Sequence, residues 1–130
     1  MAKTFGEMVS QARSEVEVLS PVEAQKRMQG SANTLVVDVR QSEGRESVIP
    51  GSINVPLGVL PIKADTELPS AVTDERLQDR DQPVIVTCGA GGQAALGAKM
   101  LKDMGFTNVS MVDGGMRGWT AAGLPTEKPE

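Results

Sequence analysis

The chain contains one cysteine, Cys88, within VTCGAGGQAA (86–95). An apolar run precedes it, and glycine fills positions 89, 91 and 92. No histidine or tyrosine occurs in the 130 residues. A Ser-His-Asp triad, a Cys-His hydrolase site and a His-ligated metal site are therefore excluded. One thiolate cannot build a zinc or iron–sulfur site within a single chain, and no clustered Asp pattern of EF-hand type is present. The expectation is a site with no cofactor and no metal. What remains is a thiol where a strand turns directly into a helix. Backbone N–H groups at such a turn point into it. Glycines let the chain curl and approach a ligand closely. The pattern resembles an anion nest at a helix N-terminus. A thiolate at its centre is stabilised without a histidine. The same nest would hold a persulfide anion or the oxyanions of a bound substrate.

Three other readings compete for this stretch. Cys88 could be an inert core thiol, since free cysteine is among the most buried residue types. Its place at a strand-to-helix switch, with glycine at three of the next four positions, favours a chemical role. Gly89-x-Gly91-x-x-Ala94 also matches a dinucleotide-binding fingerprint, with Asp113 closing the next strand. That reading leaves Cys88 unexplained, and only a short tail follows Asp113. A cysteine phosphatase needs a guanidinium in the loop to clamp the phosphoryl group, and residues 89–95 hold no Arg or Lys.

The elements that must position Cys88 alternate between helix and strand. Phe5, Met8, Val9 and Ala12 fall at i, i+3, i+4 and i+7, which predicts an amphipathic helix over 4–15. Val16 and Val18 read as a short edge strand. Ser20, Pro21 and Glu23 make a capping box with proline at the first helical position, opening a helix that should end at Gly30. Residues 34–39 and 83–87 are short, nearly continuous apolar runs, as in buried parallel strands. A further strand is expected over 51–56, another over 108–112, and helices over 93–104 and 115–122. Residues 57–82, with Pro61 and Pro69, suggest turns and a short helix near 73–79. The pattern predicts an α/β fold with a mostly parallel sheet covered on both faces. Ligands bind such sheets at the carboxyl ends of the strands. Cys88, Asp38, Arg40 and Asp113 all stand there.

The chain's length suits one domain. Its formal net charge of −4 argues against nucleic acid and anionic membranes as partners. The first sixteen positions carry Lys3, Glu7, Arg13 and Glu15 and no apolar core of signal-peptide length. No later stretch could span a bilayer. One cysteine cannot form an internal disulfide, which suits a reducing compartment. The expected location is cytoplasmic.

Four segments, in order, resemble the rhodanese-homology family in its single-domain form, over roughly residues 16–125. LVVDVR (35–40) resembles that family's Asp-x-Arg strand end. IPGSINVP (49–56) is similar to its Ile-Pro-Gly-Ala-x-Asn-x-Pro segment. VTCGAGGQAA resembles its active-site loop, and GFTNVSMVDGGMRGWTAAGLP (105–125) its C-terminal signature. The resemblance implies a single rhodanese-like α/β domain, with a central five-stranded parallel sheet and helices on both faces. Residues 1–15 would be a helical extension and 126–130 a frayed tail. The implied activity is that of a sulfurtransferase, moving sulfane sulfur from a donor to a thiophilic acceptor through a persulfide on Cys88. Gly89, Ala90, Gly91, Gly92 and Gln93 would form its loop. Phosphatase-like members use a loop one residue longer, closed by Arg, where this chain has Ala94.

The chain departs from the family pattern at Gly89 and Gln93, where cations are common, and at Val48, where a histidine is common. A doubly charged donor such as thiosulfate should then bind weakly, which favours a glutathione persulfide or a sulfur-relay protein. The missing charge also keeps an alternative open: a low-turnover sulfur carrier, or a redox-sensing or partner-binding module. Asp38 and Arg40 are expected in a supporting role, holding loops more than orienting substrate. Arg45 and Arg117 could lend positive potential near the crevice. Trp119 reads as a packing residue and Gly114–Gly115 as a tight turn.

Overall fold

The computed structural model of the protein describes residues 2–129. Helix α1 spans Phe5–Glu15, strand β1 Glu17–Leu19, α2 Pro21–Gly30, β2 Leu35–Asp38 and β3 Ile53–Asn54. Then come α3 at Leu60–Lys63, β4 at Val84–Thr87, α4 at Gly92–Asp103, β5 at Val109–Val112 and α5 at Gly115–Ala121. The strands form one five-stranded sheet in the order β1-β5-β4-β2-β3, and every pair is parallel. This is the α/β architecture anticipated from the alternating pattern.

Local signals fix both early helices. The Ser20 hydroxyl accepts from the Glu23 N–H at 3.2 Å, and Glu23 Oε1 accepts from the Ser20 N–H at 3.0 Å. Pro21 occupies the first turn, and α2 ends at Gly30 as expected. Thr4 and Glu7 repeat the device at the start of α1. Each box satisfies donors that a helix start leaves orphaned.

Strand alternation divides the core in two. Val37, Val39, Val84, Val86 and Met111 pack with Ala12 of α1, Leu60 of α3 and Ala94, Ala95, Ala98 and Leu101 of α4. Val36, Ile85 and Val112 point the other way, onto Ala24 of α2 and Met116 and Trp119 of α5. Gly97 lets α4 lie close to the sheet: a Cβ there would stand 3.4 Å from side-chain carbons of Leu60, Val39 and Val86. Among the described residues, no helix is long and apolar enough to cross a membrane.

Some boundaries differ from expectation. The strand expected over 51–56 pairs only at Ile53–Asn54, because it is the sheet's edge and Pro56 follows. The helix expected near 73–79 is a single 3-10 turn, Glu75–Leu77, capped by Asp74. A hydrogen bond from the Arg76 side chain holds the Asp74 carboxyl below its ordinary value. The only α-helix in 57–82 among the described residues is α3, which the sequence reading did not place. The tail expected to fray is held at Glu127, whose N–H and carbonyl both pair with Val48 at 3.0 and 2.8 Å.

Trp119 is buried, and its indole N–H donates to the Pro125 carbonyl at 2.8 Å. It therefore ties α5 to the chain's last segment. Trp119→Ala should lower the unfolding free energy by about 3–5 kcal/mol. Trp119→Phe, which keeps most of the bulk, should lose roughly 1–3 kcal/mol through the unpaired carbonyl. Urea unfolding followed by circular dichroism measures both, and no loss in Trp119→Phe would show that the hydrogen bond contributes nothing.

Candidate active site

β4 delivers Thr87 and Cys88 to the carboxyl end of the sheet's central region, and α4 starts four residues after Cys88. The residue before α4 is Gly91, at φ +107°, which has no side chain to cap the helix. The cysteine sulfur does so instead. Cys88 Sγ accepts the N–H of Gly91 at 3.0 Å and that of Ala94 at 3.2 Å. Ala94 is the third helical residue, whose N–H an N-cap hydroxyl or carboxylate ordinarily receives. The next donor in line, Ala95 N–H, bonds to the Gly91 carbonyl at 3.1 Å. Among the described residues, the N–H groups of Gly92 and Gln93 meet no protein acceptor. The loop thus holds the sulfur with two donors and keeps two more beside it.

The loop's carbonyls are turned away by α5. Met116 N–H donates to the Cys88 carbonyl at 2.7 Å, and Arg117 N–H to the Gly89 carbonyl at 3.0 Å. These are first-turn donors of α5, so the loop caps α5 while its sulfur caps α4. The approach is close. A Cβ on Gly115, where φ is +56°, would fall on the Cys88 carbonyl oxygen. A Cβ on Gly91 would stand 3.3 Å from the Gly114 nitrogen. The glycine pair read as a tight turn is therefore also the buttress under the loop, a role that sequence reasoning missed.

Asp38 and Arg40 lie on the other flank. Asp38 is completely buried. Its Oδ1 accepts from Arg40 N–H and Nε at 3.0 and 3.1 Å, and its Oδ2 from Arg40 Nη2 at 2.7 Å. Arg40 also donates to the Ser47 carbonyl at 2.9 Å. Arg45 approaches Asp38 Oδ2 at 3.7 Å with its side chain mostly covered, so it belongs to this cluster rather than to open solvent. Asn54, from the segment with the Ile-Pro-Gly motif, donates to the carbonyls of Asp38 and Arg40, each at 2.9 Å. The Arg40 stem reaches the loop: its Cδ lies 3.9 Å from where a Gly89 Cβ would stand. Its guanidinium is committed to Asp38. The pair thus props the loop.

Cys88 and its glycines are brought together, with Ala90 and Gln93 exposed on the rim. Asp113 is not free to face the crevice, because its Oδ1 accepts from Arg13 Nη1 of α1 at 3.2 Å. Arg117 is exposed. Cys88 itself is only 2% exposed, so a reactant meets the sulfur through the loop's opening.

A sequence model of the Rhodanese-like domain matches residues 20–122. The chain belongs to the rhodanese-like domain family. It is 34% identical over 113 residues to the uncharacterized protein YibN of Escherichia coli (strain K12), covering 86% of this chain and 73% of that one. It is 28% identical over 116 residues to the putative sulfur carrier protein YrkF of Bacillus subtilis (strain 168), covering 88% of this chain and 57% of that one. Its fold superimposes with a TM-score of 0.88 on RPA3614 of Rhodopseudomonas palustris CGA009, described as a protein of unknown function and possible tyrosine phosphatase. Identity there is 29%, over 98% of this chain and 96% of the other. Family relatives matched over shorter spans include thiosulfate and 3-mercaptopyruvate sulfurtransferases.

The buttress can be tested by adding one methyl group. Gly123, at φ +73°, has open space around a Cβ, whereas Gly115 does not. Gly123→Ala should lose about 1–3 kcal/mol from backbone strain alone. Gly115→Ala should lose more and should also change the alkylation rate of Cys88, because the Cys88 carbonyl must move. Urea unfolding and the rate of iodoacetamide labelling measure the two effects. Equal losses with equal labelling would remove Gly115 from any role in shaping the loop.

Proposed function

We propose that the protein is a sulfurtransferase that carries sulfane sulfur as a persulfide on Cys88. The observation that carries this reading is the pairing of Sγ with the Gly91 and Ala94 N–H groups beside the unfilled N–H groups of Gly92 and Gln93. The first pair holds the attacking sulfur, and attack by its thiolate form needs no separate general base. The second pair suits charge on the outer sulfur once it arrives. In the loading step, the Cys88 thiolate attacks the terminal sulfur of a donor R–S–S–H. A new S–S bond forms on Cys88, the donor's S–S bond breaks, and its electron pair leaves with R–S⁻. In the unloading step, an acceptor such as cyanide attacks the outer sulfur. Thiocyanate departs and the Cys88 thiolate is regenerated. The transferred sulfur keeps its oxidation level in loading; in unloading the persulfide S–S bond takes two electrons from the cyanide carbon, so no outside oxidant or reductant is needed.

The absence of Arg and Lys from residues 89–95 bears on both donor and rate. Neutral N–H donors hold one negative charge well but compensate two poorly. A persulfide of glutathione or of a partner protein fits this loop better than thiosulfate. The same feature counts against phosphoryl transfer, where the transition state needs a guanidinium or metal partner. Together with the deep burial of Cys88, it also favours a second reading: a sulfur carrier that loads once and waits for a specific partner. The lone thiol is compatible with a reducing cytoplasm.

Intact-protein mass spectrometry after exposure to glutathione persulfide or thiosulfate, followed by cyanide, separates these readings. One added sulfur on the wild-type protein, absent in Cys88→Ser, is expected with glutathione persulfide and much less with thiosulfate. Repeated thiocyanate release would mark an enzyme, and one equivalent only a carrier. No uptake from either donor would overturn both sulfur-based readings.

A further inference from the structure

Helix α1 lies outside the residues that match the family model, yet it meets the start of α4 beside the Cys88 loop and also pairs with Asp113, ahead of the Gly114–Gly115 turn. At one side, Phe5 and Val9 lie against Gly92, the first residue of α4. A Cβ on Gly92 would stand 2.9 Å from Phe5 Cζ and 3.6 Å from Val9 Cγ2. At the other, Arg13 holds Asp113, which precedes the Gly114–Gly115 buttress. Lys102 adds a third tie to α1, donating to the Glu15 carbonyl at 2.5 Å. The helix thus runs along α4, with Phe5 at its first residue and Glu15 at its last turn.

Phe5 is 58% exposed, although it is one of only two phenylalanines in the chain. Contact with Gly92 uses one part of the ring, and the rest stands in solvent beside the residue whose N–H is unfilled. The neighbouring lysines are engaged elsewhere: Lys3 with Gln11, and Lys99 with Asp103. The Arg40 guanidinium is occupied by Asp38. The open N–H of Gly92 therefore has an apolar ring next to it, and residues 89–95 contain no cation.

We infer that Phe5 is the donor-selecting residue of the Cys88 site, and that the site takes persulfides R–S–S–H whose carbon group R packs on the exposed ring. This inference rests on the sulfur-transfer reading above and narrows its donor. The sulfane sulfur sits over the N–H groups, and R leaves along the ring as R–S⁻ when the donor's S–S bond breaks. An inorganic dianion such as thiosulfate gains nothing from the ring and keeps its need for a cation. The contact acts on binding of the donor, because Phe5 does not touch the reacting sulfur.

The test compares wild type, Phe5→Ala and Phe5→Leu with benzyl persulfide and thiosulfate as donors and cyanide as acceptor. Phe5→Ala should lower the ratio of kcat/KM for benzyl persulfide over thiosulfate by about five- to tenfold, as expected for losing part of one apolar contact. The loss should lie in KM, and Phe5→Leu should recover most of it. A ratio unchanged within twofold in a folded Phe5→Ala protein would overturn the inference. A second readout needs no sulfur transfer: the rate of Cys88 labelling by N-benzylmaleimide relative to iodoacetate. That ratio should fall by a similar factor in Phe5→Ala and recover in Phe5→Leu. If wild type takes no sulfur from either donor but this labelling ratio falls, the sulfurtransferase reading fails while the apolar wall stands. An unchanged labelling ratio removes the wall as well.

Discussion

One sulfur atom does the work of a helix cap, and the rest of the site is arranged around that substitution. Helix α4 begins without a capping side chain, because the residue before it is a glycine in a left-handed conformation. Its first-turn N–H groups still require an acceptor. Cys88 Sγ supplies one for Ala94 and also receives Gly91. The interaction is reciprocal in its consequences: the helix orders the sulfur, and the sulfur completes the helix. The same two contacts that end a structural deficit also hold the candidate nucleophile in place. Structure and chemistry therefore draw on one pair of hydrogen bonds.

For those N–H groups to converge, the loop's carbonyls must point elsewhere. Helix α5 receives them. Its own first-turn donors, from Met116 and Arg117, have no capping side chain either, since Gly114 precedes them. Two uncapped helices thus meet at one loop, one satisfied by its sulfur and the other by its carbonyls. The geometry brings backbone against backbone, which only glycine permits at 115. Asp38, Arg40 and Asn54 close the opposite side through bonds among themselves and to strand-end carbonyls. A charge buried this completely must be paired, and Arg40 provides the pair. That obligation explains why Arg40 stands beside the loop without acting as its cation.

How much of this was legible beforehand depends on the range of each interaction. Capping boxes are written within four residues, so the start and end of α2 could be read directly. The buried strands Leu35–Asp38 and Val84–Thr87 were legible from their apolar runs, and the Cys88 nest from glycines adjacent to it. Short elements whose limits depend on distant partners were not. Pro61 inside α3 reads as a breaker, yet it occupies the first turn of that helix, where proline is tolerated. β3 ends where its neighbour stops pairing. Phe5, Met8, Val9 and Ala12 share a helical face by spacing, but only Ala12 is buried and Val9 packs beside it. Phe5 and Met8 border α4 beside Gly92 and Leu96 and stay exposed. Periodicity identifies a face; it does not say how much of that face the neighbour covers. Likewise, two adjacent glycines announce a turn, whereas the reason for the second is a carbonyl far away in the chain.

A nest built only from neutral donors sets a limit on what it can hold. Each N–H contributes a partial charge, and their sum at a helix start amounts to about half a unit charge. One thiolate or one persulfide sulfur fits that supply, whereas a dianion leaves much of its hydration uncompensated. A loop cation would widen the range of donors at the cost of drawing in phosphate, sulfate and other abundant anions. Without one, discrimination against those anions follows from the loop itself. Affinity for a correct donor must then come from contacts outside the nest. Helix α1 is fixed against the loop at Gly92, and its Phe5 ring lies there with its remaining surface uncovered. On the proposed sulfur-transfer reading, a weakly charged nest and an apolar neighbour are two parts of one chemical preference: a single negative charge on sulfur, attached to carbon.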